Sequence, residues 1–178
     1  MPEGTPGPAR QMAEHLSSIV RAATAAEPGR RWVSALRCSR RPRHQVCPGT
    51  IALTRFEVPG DIEWVCTSCG DEGVISGWQR SPFDLRPFTD ERGHTPGLVR
   101  VELPLEFVAT LRTLAHLDIA TERVVFAAAV IDGRAVLIGS ENDFEELGDY
   151  VAAEANHTAD RRRQKRLDAT FAALRDSC

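Results

Sequence analysis

No stretch of eighteen consecutive apolar residues occurs in this 178-residue chain, which excludes a membrane-spanning helix. The first ten residues lack the apolar core of an export signal, so the cytoplasm is the expected compartment. No phosphate-binding glycine loop, dinucleotide fingerprint or Ser/His/Asp arrangement is present. The His-x-Glu that zinc deaminases carry upstream of their cysteine pair is also missing. Those absences weigh against an enzyme. There is no internal repeat, and biased composition is confined to the Pro/Gly-rich N-terminal tail. Acidic residues are missing from Pro28 to Phe56, a segment that holds seven arginines: Arg30, Arg31, Arg37, Arg40, Arg41, Arg43 and Arg55. The overall charge of −3 hides this local basic density, which suits an anionic partner.

What is present is the composition of a folded protein, 42% apolar and 26% charged. After a disordered tail, a helix is expected over about residues 9–26, with Met12, Leu16, Ile19, Val20 and Ala23 on its inward stripe. Pro8 suits its first turn and Pro28-Gly29 stops it. Three short antiparallel strands are expected at 50–58, 62–66 and 73–78, the first two separated by Pro59-Gly60-Asp61. Residues 79–100, rich in proline and glycine, read as a linker whose Phe83, Leu85 and Phe88 dock on a neighbour. A helix is expected from near Pro104, with Phe107, Leu111 and Leu114 inward. Val124–Ile131, eight apolar residues, reads as a strand buried on both faces. Asp132-Gly133 signals a type I′ hairpin into a return strand at 134–138. Ser140 with Asp143 forms a variant capping box for a helix bearing Phe144, Leu147 and Val151. A last helix over 158–175 carries Leu167, Phe171 and Leu174, and the two final helices are open to being one kinked helix.

Five cysteines are present, and four of them, Cys38, Cys47, Cys66 and Cys69, fall within 32 residues. In a chain without an export signal such clustering points to metal before disulfides. Zinc needs four ligands in a tetrahedron. Cys66-Thr-Ser-Cys69 presents two from one knuckle, and Gly70 follows where positive φ is often needed. Cys47-Pro-Gly supplies a third ligand. The fourth is either His44, favoured by two-residue spacing, or Cys38, favoured by the preference for thiolate pairs. Residues 38–78 resemble a zinc ribbon, less than a quarter of the chain. The departure is the first knuckle, which is not Cys-x-x-Cys. The resemblance implies Zn2+ closed by four protein ligands, with the metal holding the fold and doing no chemistry. The stretches Gly73–Trp78 and Phe144–Leu167 also resemble parts of uncharacterised bacterial proteins, a likeness that implies no function.

The expected architecture is therefore α+β: a tail and N-terminal helix (1–29), a three-stranded zinc ribbon (30–80), a linker (81–100) and a C-terminal α-β-β-α-α unit (101–178). A two-stranded hairpin is marginal alone. Either the ribbon strands extend its sheet or the protein dimerises through it. The favoured function is non-enzymatic binding of nucleic acid, with Arg37, Arg40, Arg41 and Arg43 on phosphates and Trp32, Trp64 or Trp78 available to stack on bases. The alternative is a protein–protein adaptor or homodimer with a structural zinc, in which the arginines are incidental. A third reading is a metal-dependent enzyme using Glu154 and His157, a carboxylate–imidazole pair at i, i+3; di-iron bundles need two such pairs and further carboxylates, which are not found. The basic run at 161–166 reads as a solvated helix face, and Cys178 as an exposed terminal thiol.

Overall fold

The structure, a computed structural model, describes residues 7–57, 59–86 and 98–176, apart from the side chains of Pro8 and Arg43. Residues 1–6 of the tail, the end of the expected first ribbon strand at Val58, Phe88 and Cys178 lie outside that description. In chain order the elements are α1 (Pro8–Ala25), β1 (Trp32–Arg37), β2 (Thr50–Arg55), β3 (Ile62–Cys66), β4 (Glu72–Ile75), β5 (Leu98–Leu103), α2 (Leu105–Leu111), α3 (Ile119–Phe126), β6 (Ala129–Ile131), β7 (Arg134–Ser140), α4 (Glu141–His157) and α5 (Arg161–Arg175). All seven strands join one antiparallel sheet in the order β4-β3-β2-β1-β6-β7-β5.

The α1 stripe forms as its spacing requires. Ile19, Val20, Ala22 and Ala23 are buried, and α1 lies across β1, β2 and β3. Met12 is a correction: it sits one turn before that contact begins and is exposed. The three strands β2, β3 and β4 pair as expected, Leu53 opposite Trp64 and Trp64 opposite Gly73. Ile51, Leu53 and Ile62 face α1 and are fully buried. Leu85 is buried as well, its N–H donated to Thr24 Oγ1 at 2.9 Å, and Phe83 packs on the same core.

Four expectations are corrected. The basic segment, to which the sequence assigns no strand before residue 50, contains β1, a central strand of the sheet; its Ala35 and Leu36 are buried, and Ser34 donates to the Ile51 carbonyl at 2.7 Å. The linker ends early, because Val99–Leu103 alternates apolar and charged residues and Leu98–Leu103 forms β5 along β7. The run Val124–Ile131 is mostly helix. Asp118 caps α3, its side chain accepting from the N–H groups of Ala120 and Thr121, and Val124, Val125 and Phe126 are buried from that helix. Only Ala129–Ile131 remains strand; an apolar run buried on every side does not reveal its own period. The C-terminal unit therefore reads β-α-α-β-β-α-α, and its hairpin is not isolated: β6 pairs with β1 at Ser34–Ala129, which joins it to β2, β3 and β4.

Asp132 and Gly133, at φ 49° and 78°, turn β6 into β7 as a type I′ hairpin. The Ser140–Asp143 capping box is complete at the start of α4. Thr158–Asp160 separates α4 from α5, which are two helices; Asp160 caps the second by accepting from the N–H groups of Arg162 and Arg163. The helices cover one face of the sheet. On the other, Glu63, Glu72, Val74, Arg100, Glu102 and Ile138 are exposed.

Candidate metal centre

The four cysteines come from two connections at one end of the sheet. Cys38 follows β1 directly, and Cys47 precedes β2 by three residues. Cys66 ends β3, and Cys69 lies in the turn to β4. Pairing of Arg37 with Thr50, and of Ile51 with Cys66, draws the two connections together. The Cys38 N–H donates to the Gly49 carbonyl at 2.9 Å, the Cys47 N–H to the Arg40 carbonyl at 3.0 Å and the Thr67 N–H to the Thr50 carbonyl at 2.9 Å.

The result is four free thiols whose sulfurs all lie within 4.8 Å of one another. Cys38 Sγ is 3.8 Å from Cys69 Sγ, and Cys47 Sγ is 3.7 Å from Cys66 Sγ. A tetrahedron with metal–sulfur bonds of about 2.3 Å has edges of about 3.8 Å, so the spacing fits one central ion. Both short edges join the two connections. An ion held here would tie the β1–β2 loop to the β3–β4 turn.

The backbone is arranged for thiolates. The N–H two residues on points at each buried sulfur: Arg40 at Cys38 (3.4 Å), Gly49 at Cys47 (3.5 Å) and Ser68 at Cys66 (3.4 Å), with the Cys69 N–H also donating to Cys66 at 3.5 Å. Burial alone would raise the Cys66 thiol, but the N–H groups of Cys69 and Ser68 bring it down to about 7. At Cys38, burial dominates and pushes the thiol up to about 12. Four ionised sulfurs this close repel one another, and a divalent cation removes that repulsion. Gly49 makes the approach possible: a Cβ there would sit 2.5 Å from Cys66 Sγ and 2.7 Å from Ser68 Cβ, forcing the connections apart.

The competition for the fourth position has a geometric outcome. Cys38 belongs to the cluster. His44 does not; it lies exposed in a 3-10 turn, Pro42–His44, at φ 66°. Sequence spacing favoured His44, but a strand pair closing at Arg37–Thr50 places residue 38 beside residue 49 however long the loop between them is. Among the described residues, this is the one group of three or more His, Cys, Asp or Glu side chains arranged to hold an ion. Glu154 is engaged elsewhere, its Oε1 accepting from Arg163 Nη2 at 2.9 Å.

The arginines divide. Arg37 and Arg41 are exposed beside the centre, with Arg37 donating to the Pro48 carbonyl at 3.4 Å, and Arg40 is ion-paired to Asp71 at 3.4 Å. The side chain of Arg43 lies outside the description. Arg40, Arg41, Asp71 and the exposed Cys69 line an open groove of ≈ 590 Å³ against Gln11 and Met12 of α1. Arg55 is not part of this surface. It is buried, and donates to the Ala23 and Ala26 carbonyls at the end of α1. Of the tryptophans, Trp78 is buried with its indole N–H on the Gly60 carbonyl at 3.1 Å, and Trp32 and Trp64 are half-buried against the core. Arg161, Arg162, Lys165 and Arg166 are exposed on α5. No protein-family model, curated protein or solved structure matches this chain.

Proposed function

We propose that the chain is a non-enzymatic binding protein in which Cys38, Cys47, Cys66 and Cys69 hold one structural Zn2+ in a zinc ribbon, and in which the arginine-rich β1–β2 connection anchored by that ion contacts nucleic acid. The observation that carries this is the tetrahedral spacing of four sulfurs drawn from two connections. Four thiolates suit zinc or iron, and a centre closed by four protein ligands has no position left for a substrate. Metal analysis of purified protein is expected to return one zinc per chain. A colourless solution agrees with zinc, and an iron–thiolate absorption band speaks against it.

The nucleic-acid part rests on Arg37, Arg40, Arg41 and Arg43, which lie within seven residues of one another and start next to a metal ligand. Four phosphate contacts imply a slope of log K against log salt of about −3, so binding of a generic oligonucleotide should weaken roughly 50-fold between 50 and 200 mM salt. Fluorescence anisotropy at several salt concentrations measures this. Affinity indifferent to salt, or to alanine at all four arginines, rejects the nucleic-acid reading and leaves the zinc centre standing. A second reading, a protein–protein adaptor, is favoured by Val46, which is 67% exposed in the same connection. A partner retained by the four-alanine variant supports it.

A further inference from the structure

We infer that β5 is a self-pairing edge, through which two copies of this chain join their sheets antiparallel about a two-fold axis at Val101. Among the described residues, nothing pairs with the outer side of β5, which is six residues long and stands last in the sheet. An uncharged edge of that length is a ready template for another strand. This one is charged, and the charges are arranged for one particular partner.

The residues of β5 alternate. Val99, Val101 and Leu103 point to the helix-covered face, and Leu98, Arg100 and Glu102 to the open face. In an antiparallel pair, residues directly opposite share a face. With the axis at Val101, Arg100 faces Glu102 of the second copy, and symmetry repeats the contact. On the covered face Val99 meets Leu103 of the second copy, and Val101 meets its own equivalent. Moving the axis to residue 100 sets arginine against arginine, and to residue 102 glutamate against glutamate. Odd shifts turn one copy over, placing its helices on the wrong side. Thus one register satisfies both faces.

Two further observations point to the same edge. On the open face, Leu98 is 60% exposed and its neighbour Ile138 55% exposed, although both are large and apolar. On the covered face, Val99 lines an open groove of ≈ 540 Å³ with Phe144, Phe171 and Leu174. A strand added at β5 brings Pro104 of the second copy beside Leu98 and closes the open side of the groove at Val99; Ile138, on β7, lies beyond Arg100 from it. Within one chain, Arg100 Nη2 already touches Glu102 Oε1 at 2.7 Å, so the groups lie close together at the rim.

Six paired residues make a small interface, so the dimer is expected to be of micromolar strength. Sedimentation velocity from about 1 to 100 μM is expected to show conversion from 19.6 kDa to twice that mass. Arg100→Glu creates two like-charge contacts by symmetry and is expected to raise the dimer Kd about tenfold or more; Glu102→Arg does the same. The double variant Arg100→Glu/Glu102→Arg restores both contacts and returns the Kd to within about threefold of the parent. Recovery by the double variant also shows that it folds, and an ion pair confined to one chain would leave the mass unmoved. A monomer at every concentration overturns the proposal. So does a dimer that ignores the single changes, or one that the double change fails to restore. None of these outcomes bears on the metal centre, which lies at the other half of the sheet.

Discussion

Cys66→Ser is expected to lose the bound metal and to leave the chain without a cooperative unfolding transition at 25 °C. The Cys66 sulfur is buried, lies 3.7 Å from Cys47, accepts two backbone N–H groups and presses against Gly49. A serine oxygen keeps the size but is a poor zinc ligand, and three remaining thiols do not close a tetrahedron. Structural zinc contributes about 10–16 kcal/mol in isolated fingers. Here β2 and β3 also share the core under α1, with Ile51, Leu53 and Ile62 fully buried, so part of this half of the sheet is held without any ion. Even half of the zinc contribution matches the whole stability of an ordinary domain, about 5–15 kcal/mol. His44→Ala is the control: its side chain is outside the sulfur cluster, and one metal per chain should remain. Metal content and thermal melts of the two variants decide the matter. A Cys66→Ser protein that melts like the parent, or a parent unaffected by chelator, would falsify the centre as a structural element.

Arg55→Ala should cost about 3 kcal/mol in urea unfolding, from the loss of two charge-assisted hydrogen bonds, one buried and one half-buried. The residue is 6% exposed, donating Nε to the Ala23 carbonyl at 2.9 Å and Nη2 to the Ala26 carbonyl at 2.7 Å, with its guanidinium near the Trp78 ring. The last turn of α1 has no basic residue of its own, so β2 supplies the cation that its C-terminal carbonyls favour. Truncation leaves the Ala23 carbonyl buried without the cation and opens the half-buried Ala26 carbonyl to water. Lysine at this position rescues part of the loss, since one ammonium cannot span both acceptors in the guanidinium geometry. A cost below about 1 kcal/mol would show that water replaces the contact.

Arg55 also shows why the site was only partly legible in the sequence. It stands in an acid-free run with Arg37, Arg40 and Arg41, and composition alone does not separate a surface cation from one bound to main-chain carbonyls. Arg123 and Arg163 behave like Arg55, donating to the carbonyls of Arg86 and Thr113. Local signals were reliable where a few adjacent residues decide the conformation. The turn at Asp132-Gly133, the cap at Ser140 and the knuckle at Cys66–Cys69 all form as their residues require. Long-range pairing was less visible. Cys38 reaches the sulfur cluster because β1 pairs with β2, and β1 itself lies concealed among arginines. The α3 segment reads as a strand in the sequence because Val124, Val125 and Phe126 are buried whichever period they follow. The cap at Asp118, outside the apolar run, was the available signal.

The middle position of β1 has a consequence for how the protein is made. Ser34 finds its second neighbour, Ala129, only 95 positions later in the chain. A ribosome adds roughly 5–20 residues per second. For several seconds after α1 and the first hairpin emerge, one rim of β1 has nothing beside it. Sealing that rim requires closure of the longest span in the sheet, so docking of the late-made half should be the slow step of folding and the one most exposed to aggregation.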